Sequence, residues 1–173
     1  MVLLFCSTGV GADAWITDSK TKCKVWNTDP YLDETVSWSG TCTDGYASGP
    51  GTLILYRDGK ETGRYQGPMK QGKFHGKGII TDTDGMRIEA DFVNGEPHGK
   101  GSFSLPDGTG YKGDFVAGKP HGKGTYTWRS GDRYEGDYVD GRRSGKGTHT
   151  CPNGKQYTGN WENNRPVGFT VKC

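Results

Sequence analysis

The sequence predicts an all-β chain of tandem β-hairpins that continue one antiparallel sheet. Three observations carry this reading: a gap-free 23-residue repeat, apolar and polar residues alternating with period two inside each copy, and turn dipeptides at fixed places between strands. Composition argues against a deep globular core, since 31% of the 173 residues are hydrophobic while 30 are glycine. The formal net charge of +2 exerts no strong pull on nucleic acid or an anionic membrane, so nucleic acid is not an expected partner.

The repeat is plainest where YKGDFVAGKPHGKGTYTWRSGDR, residues 111–133, is set against YEGDYVDGRRSGKGTHTCPNGKQ, residues 134–156. Nearly every glycine superimposes. Copies open at Tyr65, Ile88, Tyr111, Tyr134 and Tyr157. Trp38 opens an earlier, degenerate copy that keeps Gly40, Gly45, Gly49 and Gly51, then carries four extra residues within RDGKETGR before Tyr65. The array therefore runs over residues 38–173, as five copies and a shortened sixth.

Within a copy, the opening aromatic is followed two residues on by glycine and two further on by a second apolar ring, as in Tyr111, Gly113, Phe115 and Tyr134, Gly136, Tyr138. Period two puts these on one face of a strand, with Lys112 and Asp114, or Glu135 and Asp137, on the other. The glycine leaves room for a side chain to lie flat on the backbone. A second strand is expected to begin at the paired glycines Gly76 and Gly78, Gly99 and Gly101, Gly122 and Gly124, or Gly145 and Gly147. Asp84-Gly85, Asp107-Gly108, Ser130-Gly131 and Asn153-Gly154 are the dipeptides expected to supply positive φ for tight hairpin turns. Gly72, Gly95, Gly118 and Gly141 mark the other turn, and no helix signal appears.

The pattern in YKGDFVAGKPHGKG resembles the MORN repeat, and the resemblance extends from Trp38 to Cys173. Departures are Ile88 and Ala90 in the third copy, Cys42 in the first, and Asn164 and Thr170 in the last. The resemblance implies an elongated, twisted, single-layer antiparallel sheet used as an interaction or scaffold module, with protein and phospholipid partners and no enzymatic activity. Two strands per unit at about 4.8 Å give about 9.5 Å per repeat, so the array is expected to be a rod of about 50 Å.

Outside the array, residues 1–14 read as the tail of a secretory signal peptide: a short apolar run, then Ala12-Asp13-Ala14 in an A-x-A cleavage pattern, without a basic n-region. Phe5 before Cys6 is wrong for lipidation, and no other apolar stretch approaches the roughly 20 residues of a helical membrane span. Residues 15–37 are an N-terminal cap in which Cys23, Val25 and Trp26 suggest a strand. The expectation is an exported, soluble protein, periplasmic or extracellular. Cys23, Cys42, Cys151 and Cys173 bracket the array, allowing three disulfide connectivities, of which sequence proximity favours Cys23 with Cys42 and Cys151 with Cys173. There is no CxxC pair, so metal is not expected. Cys151 and Cys173 fall seventeen and sixteen residues after their repeat starts, so pairing them requires a bulge or an irregular terminus.

Signals of chemistry dissolve into the period. His75, His98 and His121 recur one per unit, about 9.5 Å apart by strand spacing, too far to share an ion; each reads as a turn residue before glycine, and His149 as a strand-face residue. The GKPHGKGT segment departs from a phosphate loop in spacing and at Gly124, and it recurs in every copy. No catalytic, cofactor or metal residues are assigned. Lys77, Lys100, Lys123 and Lys146 form a ladder that suits phospholipid headgroups or plain solubility, opposed by Asp91, Asp114 and Asp137. The candidate partner-binding residues are the rings: Trp38, Tyr65, Phe92, Tyr111, Phe115, Trp128, Tyr134, Tyr138, Tyr157 and Trp161. The expected function is a non-catalytic protein-binding or scaffold module outside the cytoplasm, with a peptide, another protein or a second copy as partner. The alternatives are a phospholipid-surface binder using the lysines and a glycan binder using the rings.

Overall fold

In the computed structural model, which describes residues 14–27 and 34–173, every regular element is a strand. The expected leader lies outside the described residues. The chain forms two compact units, Met1–Glu96 and Pro97–Cys173.

The first unit holds β1 (Ala14–Thr17), β2 (Lys24–Asn27), β3 (Glu34–Trp38), β4 (Thr41–Thr43), β5 (Tyr46–Arg57), β6 (Lys60–Lys70), β7 (Lys73–Phe74), β8 (Gly76–Asp82) and β9 (Arg87–Val93). Its strand order is β1-β2-β5-β6-β8-β9, with β3 and β4 on β5 and β7 on β6. The cap thus contributes a hairpin, β1 with β2, which joins the array through a parallel contact of Lys24 with Tyr46. The four extra residues before Tyr65 lengthen the β5–β6 hairpin, which turns at Asp58-Gly59 between Arg57 and Lys60. The second unit is a meander of β10 (Glu96–Ser104), β11 (Gly110–Val116), β12 (Lys119–Thr127), β13 (Arg133–Val139), β14 (Arg142–Thr150), β15 (Gln156–Glu162) and β16 (Arg165–Pro166), all antiparallel to their neighbours.

The two turns of each repeat exchange the roles expected of them. The tight two-residue turns are at Ala117-Gly118 and Asp140-Gly141, where both residues have positive φ and the flanking pairs Val116 with Lys119 and Val139 with Arg142 close the hairpin. The Asp-Gly-type dipeptides instead end three-residue loops. At Pro106-Asp107-Gly108, the Gly108 N–H donates to Leu105 O, the Leu105 N–H donates to Thr109 O, and glycine alone takes positive φ. This is a type I turn closed by a glycine bulge. Because the tight turn comes first, β10, β12 and β14 begin three residues before the paired glycines. The first glycine of each pair, such as Gly122 or Gly145, then takes positive φ inside the strand.

The core lies between the rings and the glycines. Tyr111 lies across Gly113 on its own strand and Gly124 on the next, and Tyr134 repeats this over Gly136 and Gly147. Each phenol reaches a backbone carbonyl: Tyr65 donates to Pro68 O at 2.8 Å, Tyr111 to Asp114 O at 2.9 Å and Tyr134 to Asp137 O at 3.3 Å. Edge-on contacts then link ring to ring, Tyr111 to Tyr138 at 5.3 Å and Tyr134 to Trp161 at 5.1 Å between centroids. A single-layer sheet can bury these rings because each lies flat on bare backbone and is capped by its neighbours.

Asp18 ties the cap to the array. Its carboxylate is buried and accepts the Trp38 N–H at 2.8 Å and the Lys20 N–H at 2.8 Å. Burial pushes this carboxyl up, but the N–H donors of Trp38, Lys20 and Thr21 outweigh it and hold it below the ordinary carboxylate range. A carboxyl depressed in the folded state stabilises above its unfolded pKa, near 3.9, and loses that contribution as pH falls through its folded value. Asp18→Ala is therefore expected to cost about 1–3 kcal/mol at neutral pH by leaving a buried N–H unpaired. Urea titrations of wild type and variant should converge as pH falls below about 4; a gap unchanged between pH 7 and pH 3 would dismiss the role given to this carboxylate.

Candidate partner-binding surfaces

Of the ten rings expected to meet a partner, eight are core. Trp38, Tyr65, Phe92, Tyr111, Phe115, Tyr134, Tyr138 and Trp161 are all at most 4% exposed. The repeat's own glycines bring the backbone so close that no ring face is left over. Only Trp128 and Tyr157 keep side chains partly in solvent. Trp128 packs against Tyr126 at 4.6 Å and lies under the Arg143 guanidinium, which also sits over Trp161 at 4.5 Å. Tyr157 donates to Lys172 O, which ties the last residues back onto the sheet.

The polar face is nearly self-neutralised. Lys77 pairs with Asp91 at 3.4 Å, Lys100 with Asp114 at 2.6 Å and Lys123 with Asp137 at 2.6 Å. Each pair bridges adjacent strands in register, so the lysine and aspartate ladders are one feature. Lys146 breaks the series because Asn160 stands opposite it. Around it lies a shallow depression of about 700 Å³ lined by Lys123, Arg133, Glu135, Lys146 and several threonines.

A different surface appears in the first unit, on residues that the period does not explain. Trp15 is 38% exposed and meets Trp26 at 5.1 Å and Tyr46 at 5.0 Å, both edge-on. Lys73 Nζ stands 4.4 Å over Trp26, and Lys24 Nζ 5.8 Å from the Tyr46 ring centre. Trp15, Tyr46, Lys70, Gln71, Lys73 and Asn94 line a cleft of about 540 Å³ that has two lysines and no carboxylate in its wall. Gly72 makes the approach possible: its N–H donates to Ala47 O, its carbonyl accepts the Trp26 N–H, and a Cβ there would stand 2.7 Å from the Trp15 ring.

Disulfides join Cys23 to Cys42 and Cys151 to Cys173, with Cα atoms 5.6 and 5.4 Å apart. The irregular terminus required by the second pair is present. Cys151 opens the loop after β14, and Cys173 lies in the strand-free stretch after β16. His98 and His121 are strand residues beside the positive-φ glycines, not turn residues, while His75 precedes Gly76 at the start of β8.

A family model described as MORN repeat matches residues 65–87, 89–110, 111–133, 134–156 and 157–169. The chain belongs to the MORN repeat family. No curated protein matches it. MORN repeats are protein- or membrane-binding modules and non-enzymatic. The MORN matches begin at Tyr65, so the Trp15 cleft is built by Trp15 and Tyr46 from before the first matched repeat, Lys70, Gln71 and Lys73 from the first, and Asn94 from the second. Sequence reasoning weighted the periodic rings and missed this cleft. The available signal was Trp15 and Trp26, two tryptophans eleven residues apart in a segment without the repeat.

Proposed function

We propose that this MORN protein is a non-catalytic protein-binding or scaffold module acting outside the cytoplasm, and that it takes its partner at the Trp15 cleft. The observation that supports this is an exposed tryptophan in a concave site walled by Lys70 and Lys73, whereas the repeat rings are spent on the core. Exposed aromatic area beside two lysines suits an acidic peptide segment carrying an apolar anchor. Location outside the cytoplasm is favoured by the two disulfides and the leader-like residues 1–14. The phospholipid alternative is weakened by the Asp partners of Lys77, Lys100 and Lys123.

The test is affinity capture from the native host with wild type and a Trp15→Ala, Lys73→Glu double variant, followed by reconstitution with the purified partner. A partner held by wild type should bind at least tenfold more weakly to the variant, while far-UV circular dichroism stays native. Equal retention by both removes the cleft. Salt-sensitive sedimentation with anionic vesicles, unaffected by the double variant, would put the phospholipid reading in its place.

A further inference from the structure

Asp132, His149, Cys151 and Cys173 converge at the far end of the second unit, their ligand atoms all within 4.8 Å of one another. His149 Nε2 is 2.8 Å from Asp132 Oδ1 and 3.6 Å from Cys173 Sγ, and Cys173 Sγ is 3.2 Å from Asp132 Oδ1. Three anchors are firm. His149 is in β14 and 8% exposed, Cys151 follows it at 2%, and Asp132 is fixed in the loop before β13 by its backbone carbonyl, which accepts the Trp128 N–H, and by Ser130 Oγ at 2.6 Å. The His149 ring lies between Trp128 and Trp161, with centroids at 5.6 and 6.3 Å. Its Nδ1 is buried without a hydrogen-bond partner, so all the polar engagement of this imidazole is through Nε2, aimed into the cluster.

We propose that the Cys151–Cys173 disulfide occupies a latent zinc site: once reduced, the two thiolates bind Zn²⁺ with His149 and Asp132. The ligand set fits the ion, since two thiolates, one imidazole and one carboxylate are donors for a tetrahedral Zn²⁺ and not for a hard cation. Bonds of about 2.0–2.3 Å put tetrahedral ligand atoms about 3.3–3.8 Å apart, so separations that now lie within 4.8 Å close by at most about 1 Å, while the two sulfurs part and His149 Nε2, 2.8 Å from Asp132 Oδ1, moves off by about 0.5 Å. Cys173, outside any strand, is the member free to adjust.

The chemistry balances with a dithiol reductant. Its two thiols become a disulfide as the Cys151–Cys173 bond takes up two electrons and two protons; Zn²⁺ then displaces both thiol protons. The sequence expectation of no metal rested on the missing CxxC pair, yet the fold brings His149 and Cys173 to Asp132 from 17 and 41 positions away.

The probe is Co²⁺ added to the full chain after phosphine reduction, read as thiolate-to-cobalt charge-transfer absorption. One Co²⁺ per chain is expected in reduced wild type, displaced by Zn²⁺, with the β-sheet circular dichroism retained, and no band in the oxidised protein. A Cys23→Ser, Cys42→Ser variant should keep the band. Asp132→Asn and His149→Ala should each weaken Co²⁺ at least tenfold. No band in reduced wild type, a band accompanied by loss of the sheet, or a band equally strong in both single variants would overturn the site. Asp132→Asn alone decides the matter should His149→Ala fail to fold.

Discussion

Replacing Gly136 with alanine should destroy cooperative unfolding of the second unit, an effect larger than the bare size of a methyl group suggests. A Cβ there would stand 2.5 Å from Gly147 Cα, 2.5 Å from Lys146 O and 2.6 Å from Tyr134 Oη. Two of those atoms are backbone on the neighbouring strand, so the clash is relieved only by parting β13 from β14 or expelling Tyr134. Expelling the ring costs what Tyr134→Ala costs, about 3–5 kcal/mol for a buried aromatic. Gly154→Ala is the matched control: its φ is +84°, but the added Cβ meets nothing, so about 1–2 kcal/mol is expected from backbone strain alone. Thermal unfolding followed by circular dichroism ranks the three. If Gly136→Ala lay within about 1 kcal/mol of wild type, the flat packing of Tyr134 would not be what closes the hairpin.

Removing the Cys23–Cys42 bond should loosen the first unit selectively. The bond closes a separation of 19 residues and ties the β1–β2 hairpin to β4, and its loss is expected to cost about 3 kcal/mol. Cys23 is fully buried, so Cys23→Ser also leaves a hydroxyl in an apolar site, whereas exposed Cys42 tolerates serine. Hydrogen exchange by mass spectrometry on the Cys23→Ser, Cys42→Ser variant should show faster exchange across β1, β2 and β4, with β12 to β15 unchanged. Equal acceleration in both units would mean that the bond stabilises something other than the cap.

The fold was legible because one rule repeats. Tyr111, Gly113 and Phe115 declare a strand and its inner face, and the glycines state where backbones meet. Turn type was less legible. Ala117 sits at positive φ, a conformation its residue type does not advertise, because the two-residue hairpin imposes it, while Asp140-Gly141 and Asp107-Gly108 are the same dipeptide in two different turns. The burial of the ring ladder was illegible for a related reason. An aromatic ladder looks the same in sequence whether the rings face solvent or lie on glycines, and the difference depends on backbones that approach so closely that a Cβ on Gly136 would stand 2.5 Å from Gly147 Cα. The Trp15 cleft and the His149 cluster were hidden because both join residues from unlike positions, where no period points.

The way Tyr111 is seated has a consequence for the gene. Both glycines beneath the ring, Gly113 and Gly124, belong to the same copy as the ring itself, and Tyr134 with Gly136 and Gly147 is equally self-contained. An in-frame duplication or loss of one unit therefore carries a complete seat with it and leaves none half-built. Whole units can therefore be added or removed without unseating a ring. The parts that cannot be exchanged this way are the two termini, where the cysteines, Asp18 and His149 each depend on residues outside their own copy.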